Sequence, residues 1–122
     1  MEDQQVLVST SVAERWAQAR QLRCAAVWES LQDKLSQLPE EEILHLLSIP
    51  VKQWGWGSWG EEGESHCLVG HLYVYRHGPR YRWPTRTRQR DFDLLRAYDS
   101  LCVELGVRAI VERIHQFLRT LK

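Results

Sequence analysis

Features that mark secreted and membrane proteins are scarce in this chain. Its three cysteines, Cys24, Cys67 and Cys102, are widely spaced and include no CxxC pair, so a disulfide framework is not expected. No basic segment followed by an apolar run opens the sequence, and no stretch approaches the ~20 apolar residues of a membrane span. We therefore expect a soluble, intracellular protein that does not contact membranes, in the cytoplasm or, as the alternative, in the nucleus.

Catalytic signatures are also missing. The sequence has no nucleophile elbow, phosphate-binding loop or metalloprotease motif. His66, Cys67, His71 and His77 form the densest metal-capable set, but the cysteine pair of a common zinc module is lacking. Asp91 is better explained as a helix N-cap than as a metal ligand. We expect no enzymatic activity, no cofactor and no metal.

Acidic residues are absent between Ser65 and Arg90, although the formal net charge of the whole chain is zero. Residues 1–64 carry eleven acids against five bases, whereas residues 65–90 carry six arginines and no acid. Thirteen arginines against three lysines favour planar, bidentate contacts with phosphates or carboxylates. The sequence therefore predicts a local cationic surface.

The arginines of this segment follow a period of two. Even positions hold Arg76, Arg80, Arg82, Arg86, Arg88 and Arg90, and odd positions hold Tyr81, Trp83, Thr85 and Thr87. Because side chains of an extended strand alternate between its faces, this pattern predicts an arginine ladder with intervals of ~6.6 Å. We predict that these ten residues bind nucleic acid, with duplex RNA favoured over single strands. The alternatives are a solvated edge strand kept monomeric by its charge, and an acidic surface on a partner protein or a neighbouring copy.

The periodicity of apolar residues predicts one domain over residues 1–122, with residues 1–10 disordered. A capping box at Ser11 begins a long amphipathic helix, and a second helix runs from Pro39 to Pro50. Together these two helices are predicted to form an N-terminal helical hairpin.

Alternation over residues 66–76 and 80–83 predicts two strands of a basic β-hairpin, followed by helices over 91–105 and 107–121. The predicted class is therefore α+β, predominantly helical. Because an isolated hairpin is marginal in water, it must pack on the helices or extend through self-association, so we expect a homodimer.

Residues 53–65 combine three tryptophans, Trp54, Trp56 and Trp59, with four glycines and are predicted to form a loop. These rings either complete the core or are presented to a partner. The segment resembles the Trp-Gly hooks by which some proteins, including several viral silencing suppressors, engage Argonaute. That resemblance implies an Argonaute-like host protein as the partner.

From about Trp54 to Leu105 the predicted order of strand, glycine, strand, basic Thr/Arg segment and helix resembles the small RNA-silencing suppressors of tombusviruses and aureusviruses. The resemblance implies a viral accessory protein that suppresses silencing by binding double-stranded RNA on a sheet. The chain departs from the pattern, since it has one hairpin instead of a broad sheet.

A function of another class follows from the helices. Residues 12–38 and 107–121 carry enough apolar surface for a small helical adaptor or host-factor antagonist that acts through protein–protein contacts. Replacement of the arginines would abolish an RNA function and leave such an adaptor intact.

Overall fold

The computed structural model describes residues 2–56, 66–78 and 89–121, with side chains from residue 12 onward. Almost all of these residues are helical: α1 (Glu2–Ser36), α2 (Glu40–Ser48), a 3-10 turn (Val51–Gln53), α3 (Leu68–His77), α4 (Gln89–Leu105) and α5 (Val107–Thr120). The β-type pairing within these ranges is an isolated parallel bridge between Trp54 and His66. The described part of the chain is therefore all-α.

The predicted α+β class is wrong, because most of the predicted first strand forms α3. Cys67 caps this helix, and its Sγ accepts a hydrogen bond from the Gly70 amide at 3.3 Å. Leu68 and Leu72 are four residues apart and both fully buried, which is a helical spacing. A short run with apolar residues on both faces fits either period, and the helix satisfies its own backbone hydrogen bonds without a partner strand. The predicted second strand, residues 80–83, lies outside the described residues.

The four predicted helices are present, but the first two do not form the predicted hairpin. The helix α1 extends to Glu2 and packs mainly on α4, whereas α2 packs on α3 and α5. The apolar stripe of α1 from Cys24 to Leu35 is wide, and α4 covers it. Pro39 therefore turns the chain away from α1 instead of back along it.

The core lies where α4 and α5 meet the other helices. Its fully buried members are mostly leucine and isoleucine, and they include Leu31, Leu35, Leu46, Leu68, Leu72, Leu94, Leu101, Ile110, Ile114, Leu118 and Tyr98. Between α4 and α5 the chain turns at Gly106, whose φ of 89° is a conformation that side-chain-bearing residues rarely adopt. The same core leaves residues 12–23 of α1 uncovered.

Candidate functional site

Residues 12–23 of α1 lie outside the core. Every side chain from Val12 to Arg23 is exposed, and burial along α1 begins at Cys24. Trp16 is 74% exposed and Leu22 is 71% exposed. Large apolar side chains of this kind on a monomer mark an interaction surface when they cluster.

This segment projects past the end of α4. The Arg20 Nε lies 3.6 Å from the Glu104 Oε2, and Glu104 is the last residue but one of α4. Residues 2–19, which we call the arm, therefore extend beyond the α4 terminus by ~27 Å at 1.5 Å per residue. The arm thus has both the length and the apolar side chains of a docking element.

A groove opens between α1 and α4 where the arm joins the core. It encloses about 300 Å³. Its apolar lining is contributed by Cys24, Val27, Leu101 and Val103, and its polar lining by Arg20, Arg23, Ser100 and Glu104. Val103 is 62% exposed, so the groove continues onto an open apolar surface of α4.

A buried network of charged and hydroxyl groups joins α2, α3 and α4. Arg76 donates two hydrogen bonds of 2.8 Å to the Glu42 carboxylate, one from Nε and one from Nη2. Its Nη1 lies 3.6 Å from the Asp91 Oδ1, and the Tyr73 hydroxyl donates to the Asp91 Oδ2 at 2.7 Å. The bidentate hydrogen bonds to Glu42 raise the pKa of Arg76, against a smaller opposing effect of burial. This is fork-to-fork geometry between a guanidinium and a carboxylate, so the contact is specific as well as charged.

One arginine of the predicted ladder, Arg76, belongs to this network. Arg76 lies in α3 and its guanidinium binds two buried carboxylates, of which Glu42 is 7% and Asp91 is 5% exposed. The predicted ladder required an extended backbone at residue 76, and that part of the prediction is wrong, because Arg76 lies in the last turn of α3.

A second buried cluster surrounds Trp54. Its ring centroid lies 4.9 Å from that of His71, 6.1 Å from that of Tyr98 and 5.8 Å from that of His115. The indole Nε1 donates to the Ile49 carbonyl at 3.1 Å, and the Tyr98 hydroxyl donates to the Gly55 carbonyl at 2.7 Å. With 4% exposure, Trp54 completes the core and is not presented to a partner.

The cluster also holds both ends of the Trp-Gly segment. The Gly55 amide donates to the His66 carbonyl at 2.9 Å, and the His66 amide donates to the Gln53 carbonyl at 3.2 Å. The His71 Nε2 bonds to the same Gln53 carbonyl at 2.9 Å. Residues ten or more positions apart in sequence are thereby fixed next to each other, on either side of residues 57–65.

Burial shifts the pKa values of the histidines in and beside this cluster. Burial lowers the pKa of His71 to about 4, the hydrogen bond to Gln53 opposes that shift, and the neighbouring His66 and His45 lower it further. Burial also lowers the pKa of His45 and of His115, and it raises the pKa of the Cys67 thiol. The His45 ring stacks on that of Tyr75 with a centroid distance of 4.4 Å, and His115 is 8% exposed.

The other predicted site residues are placed as follows. Arg90 is exposed in the first turn of α4, and Trp56 is 49% exposed. The remaining predicted residues, Trp59, Arg80, Tyr81, Arg82, Trp83, Thr85, Arg86, Thr87 and Arg88, lie outside the described residues. The described residues therefore do not bring the predicted nucleic-acid-binding set together.

Sequence reasoning missed two features of these surfaces. The partner of Glu42, Arg76, lies 34 positions away in sequence, a separation at which no local pattern signals contact. The groove needs α1 and α4 together, so neither helix predicts it alone. One signal was present, since Trp16 stands in the apolar pattern of α1 and its exposure follows from where α4 ends.

Within the described ranges, no group of three His, Cys, Asp or Glu side chains is arranged to hold a metal ion. None of the helices described is long and apolar enough to cross a membrane. In comparisons with protein-family models, curated proteins and solved structures, the chain has no match.

Proposed function

We propose that the protein is a non-enzymatic helical interaction module that docks on another protein through the arm of α1. The observation that carries the proposal is the 74% exposure of Trp16 on a helix that extends past the core. Tryptophan is the residue type most often found as an energetic anchor of protein interfaces. A helix presenting anchors to a groove is also a recurring mode of protein recognition.

Of the two helices that the adaptor hypothesis names, α5 has its apolar side in the core. The apolar side of α5 is occupied by the core, because Ile110, Ile114 and Leu118 are fully buried. In the C-terminal part of α1 and just after it, Leu31, Leu35 and Leu38 are also buried in the core. The arm is the part of the two candidate helices that remains uncovered, so docking is assigned to it.

The test is a photo-crosslinking residue placed at position 16 in the full-length chain, expressed in the cells that produce it. We expect residue 16 to yield one dominant crosslinked protein species. The matched control carries the same crosslinker at Glu112, which is exposed on α5. Equal crosslinking at both positions, or none at position 16, would contradict docking through the arm.

A second candidate function, RNA binding by the basic segment, is favoured by the placement of Asp91. Asp91 is the acid next to Arg90 in sequence, but it is buried and its two oxygens face Tyr73 and Arg76. It therefore does not neutralise Arg90, and the arginines at 80, 82, 86, 88 and 90 keep a joint excess of positive charge in sequence. A segment with this positive charge is suited to bind phosphates, which supports duplex RNA as the ligand and silencing suppression as one role.

This candidate is tested by binding of the purified protein to a short RNA duplex, to single-stranded RNA and to DNA over a range of salt. Replacement of Arg80, Arg82, Arg86 and Arg88 by alanine is expected to abolish duplex binding. The control replaces four exposed arginines elsewhere, Arg96, Arg108, Arg113 and Arg119. If both sets weaken binding equally, the effect is net charge and the basic segment is not the site.

A further inference from the structure

We propose that α2, the 3-10 turn and α3 form a unit that opens in acid before α1, α4 and α5 separate, with buried histidines as the groups that take up the protons. We call residues 40–54 and 66–77 the acid-sensitive unit. The inference does not depend on docking through the arm or on RNA binding, because it concerns contacts inside the core.

The buried side chains that can gain a proton in acid lie in the acid-sensitive unit or bond to it. Within the described ranges the buried histidines and carboxylates are Glu42, His66, His71, Asp91 and His115. Asp91 belongs to α4, but it accepts a hydrogen bond from the Tyr73 hydroxyl of α3 at 2.7 Å. His115 belongs to α5, but its Nε2 bonds to the Leu46 carbonyl of α2 at 3.2 Å. Protonation of these groups therefore acts on the contacts that the unit makes.

Apolar contacts hold the other three helices together. The helix α4 packs on both α1 and α5, and Leu31, Leu35 and Leu101 are fully buried. The Trp28 ring of α1 meets the Phe117 ring of α5 edge-on, with 6.2 Å between the ring centroids. Contacts of this kind carry no charge to titrate, so acid does not weaken them directly.

The polar groups of these three helices are also less sensitive to acid. Burial raises the pKa of Tyr98 and raises the pKa of Cys102 to about 11, so both side chains are already neutral at neutral pH. The ion pair of Arg20 with Glu104, which joins α1 to α4, lies on the surface, where such pairs contribute little to stability. Acid therefore acts unequally on the two parts of the fold.

His71 lies at the centre of the acid-sensitive unit. Its Nε2 donates to the Gln53 carbonyl at 2.9 Å, its ring centroid lies 5.3 Å from that of His66, and its backbone is hydrogen-bonded to His45. The titratable and charged groups that face His71 or its direct neighbours are His45 and Glu42 on α2, His66 and Cys67 before α3, Tyr98 and Asp99 on α4, and His115 and Arg119 on α5. Those that act on His71 itself are His66 and His45, and a positive charge on either opposes its protonation.

The direction of the effect follows from the protons that each state binds. In the open unit His71 titrates near its ordinary pKa of about 6.5, whereas burial lowers its pKa to about 4 in the closed unit. Stability that is present at neutral pH is therefore lost as the pH falls through this window. Between about pH 7.5 and about pH 5 the equilibrium constant for opening rises roughly 30-fold through His71 alone. Burial also lowers the pKa of His45 and of His115, which adds to the rise.

An acid titration of the full-length protein, labelled with 5-fluorotryptophan and followed by fluorine NMR, tests the proposal. Trp54 reports on the acid-sensitive unit, and Trp28 reports on the contact of α1 with α5. Their signals are assigned with the Trp54→Phe and Trp28→Phe variants. We expect the Trp54 signal to reach its unfolded position at a pH about half a unit or more above that of the Trp28 signal. The helical circular dichroism should then fall in two steps.

The role of the histidines is tested through the steepness of the Trp54 transition. The slope of the logarithm of the opening constant against pH gives the number of protons taken up. His71→Gln keeps an amide donor but cannot titrate, so it should lower this number by up to about one. His115→Gln should also lower it, and this variant carries the test if His71→Gln does not fold at neutral pH. The matched control is His77→Gln, at an exposed position of α3, which should leave the slope unchanged.

Two results would overturn the proposal. If Trp54 and Trp28 change together with a single midpoint, or if Trp28 changes first, the fold has no separate acid-sensitive unit. If Trp54 changes first but both histidine variants keep the wild-type slope, groups other than the buried histidines take up the protons. Separate midpoints, with a slope that falls in the histidine variants and stays unchanged in His77→Gln, support the proposal.

Discussion

Acid is expected to unfold this protein through His71. The ring is 6% exposed, it bonds to the Gln53 carbonyl at 2.9 Å, and burial lowers its pKa to about 4. A carbonyl oxygen can only accept, so the Nε2 carries a proton, and the pKa of about 4 makes the ring neutral in the folded state at pH 7. The titratable groups that act on His71 are His66 and His45, which oppose its protonation, and Glu42 raises the pKa of His45.

The sign and size of the effect follow from linkage. The unfolded chain takes up a proton at His71 near pH 6.5, whereas the folded chain does so only near pH 4. The free energy of unfolding therefore falls as the pH drops from 6.5 to 4 and levels off below that range. Between about pH 7.5 and about pH 5 the loss from His71 alone is about 2 kcal/mol. The lowered pKa values of His45 and His115 add losses of the same sign.

The assay is urea unfolding followed by tryptophan fluorescence and by circular dichroism at several pH values. The His71→Gln variant keeps an amide donor for the Gln53 carbonyl but cannot titrate. Its stability at neutral pH is expected to be lower than that of the wild type, and its loss between about pH 7.5 and about pH 5 should be smaller by about 2 kcal/mol. A His77→Gln variant, changed at an exposed position of the same helix, serves as the control. If wild type and His71→Gln lose stability in parallel, the reasoning from burial is refuted.

Three further predictions concern stability and are checked by urea unfolding. Arg76→Leu leaves Glu42 and Asp91 buried without their guanidinium partner and should cost about 3 kcal/mol, much of which the added change Glu42→Leu should restore. Trp54→Ala removes a ring that is 4% exposed and should cost about 3 kcal/mol or more, whereas an alanine at the half-exposed Trp56 should cost well under half of that. Gly106→Ala meets no atom within 4 Å, so its expected cost of about 2 kcal/mol comes from the backbone alone, at a φ of 89°.

The helices were predictable from sequence wherever a helical period is sustained. In α4 and α5 the apolar residues keep three- and four-residue steps for several turns, and Gly106 marks the boundary between them. In α3 the same argument failed, because ten residues that are apolar on both faces also satisfy a period of two. The segment is a helix because other helices cover Leu68 and Leu72, and this packing depends on residues distant in sequence.

The candidate site was predictable only in part for the same reason. Trp54 and Trp56 are two positions apart in a repetitive segment, yet one is 4% and the other 49% exposed. The difference is made by His71, Tyr98 and His115, which reach Trp54 from three different helices. A long helix in the position of α1 was predictable from sequence, but the exposure of its residues 12–23 depends on where α4 ends.

The buried network limits the number of arginines that can bind RNA phosphates, and this number can be measured from the salt dependence of binding. The guanidinium of Arg76 is bonded to Glu42, so at most five of the six arginines in residues 65–90 are available to a polyanion. Release of counterions by five phosphate contacts gives a slope of log affinity against log salt no steeper than about −4.5 for a duplex. Two copies that place both basic segments on one duplex would double this to about −9. A slope near −4.5 would show that each copy binds alone. A slope well beyond −4.5 in a monomeric protein would require cationic contacts outside the basic segment and would refute the assignment of RNA binding to it.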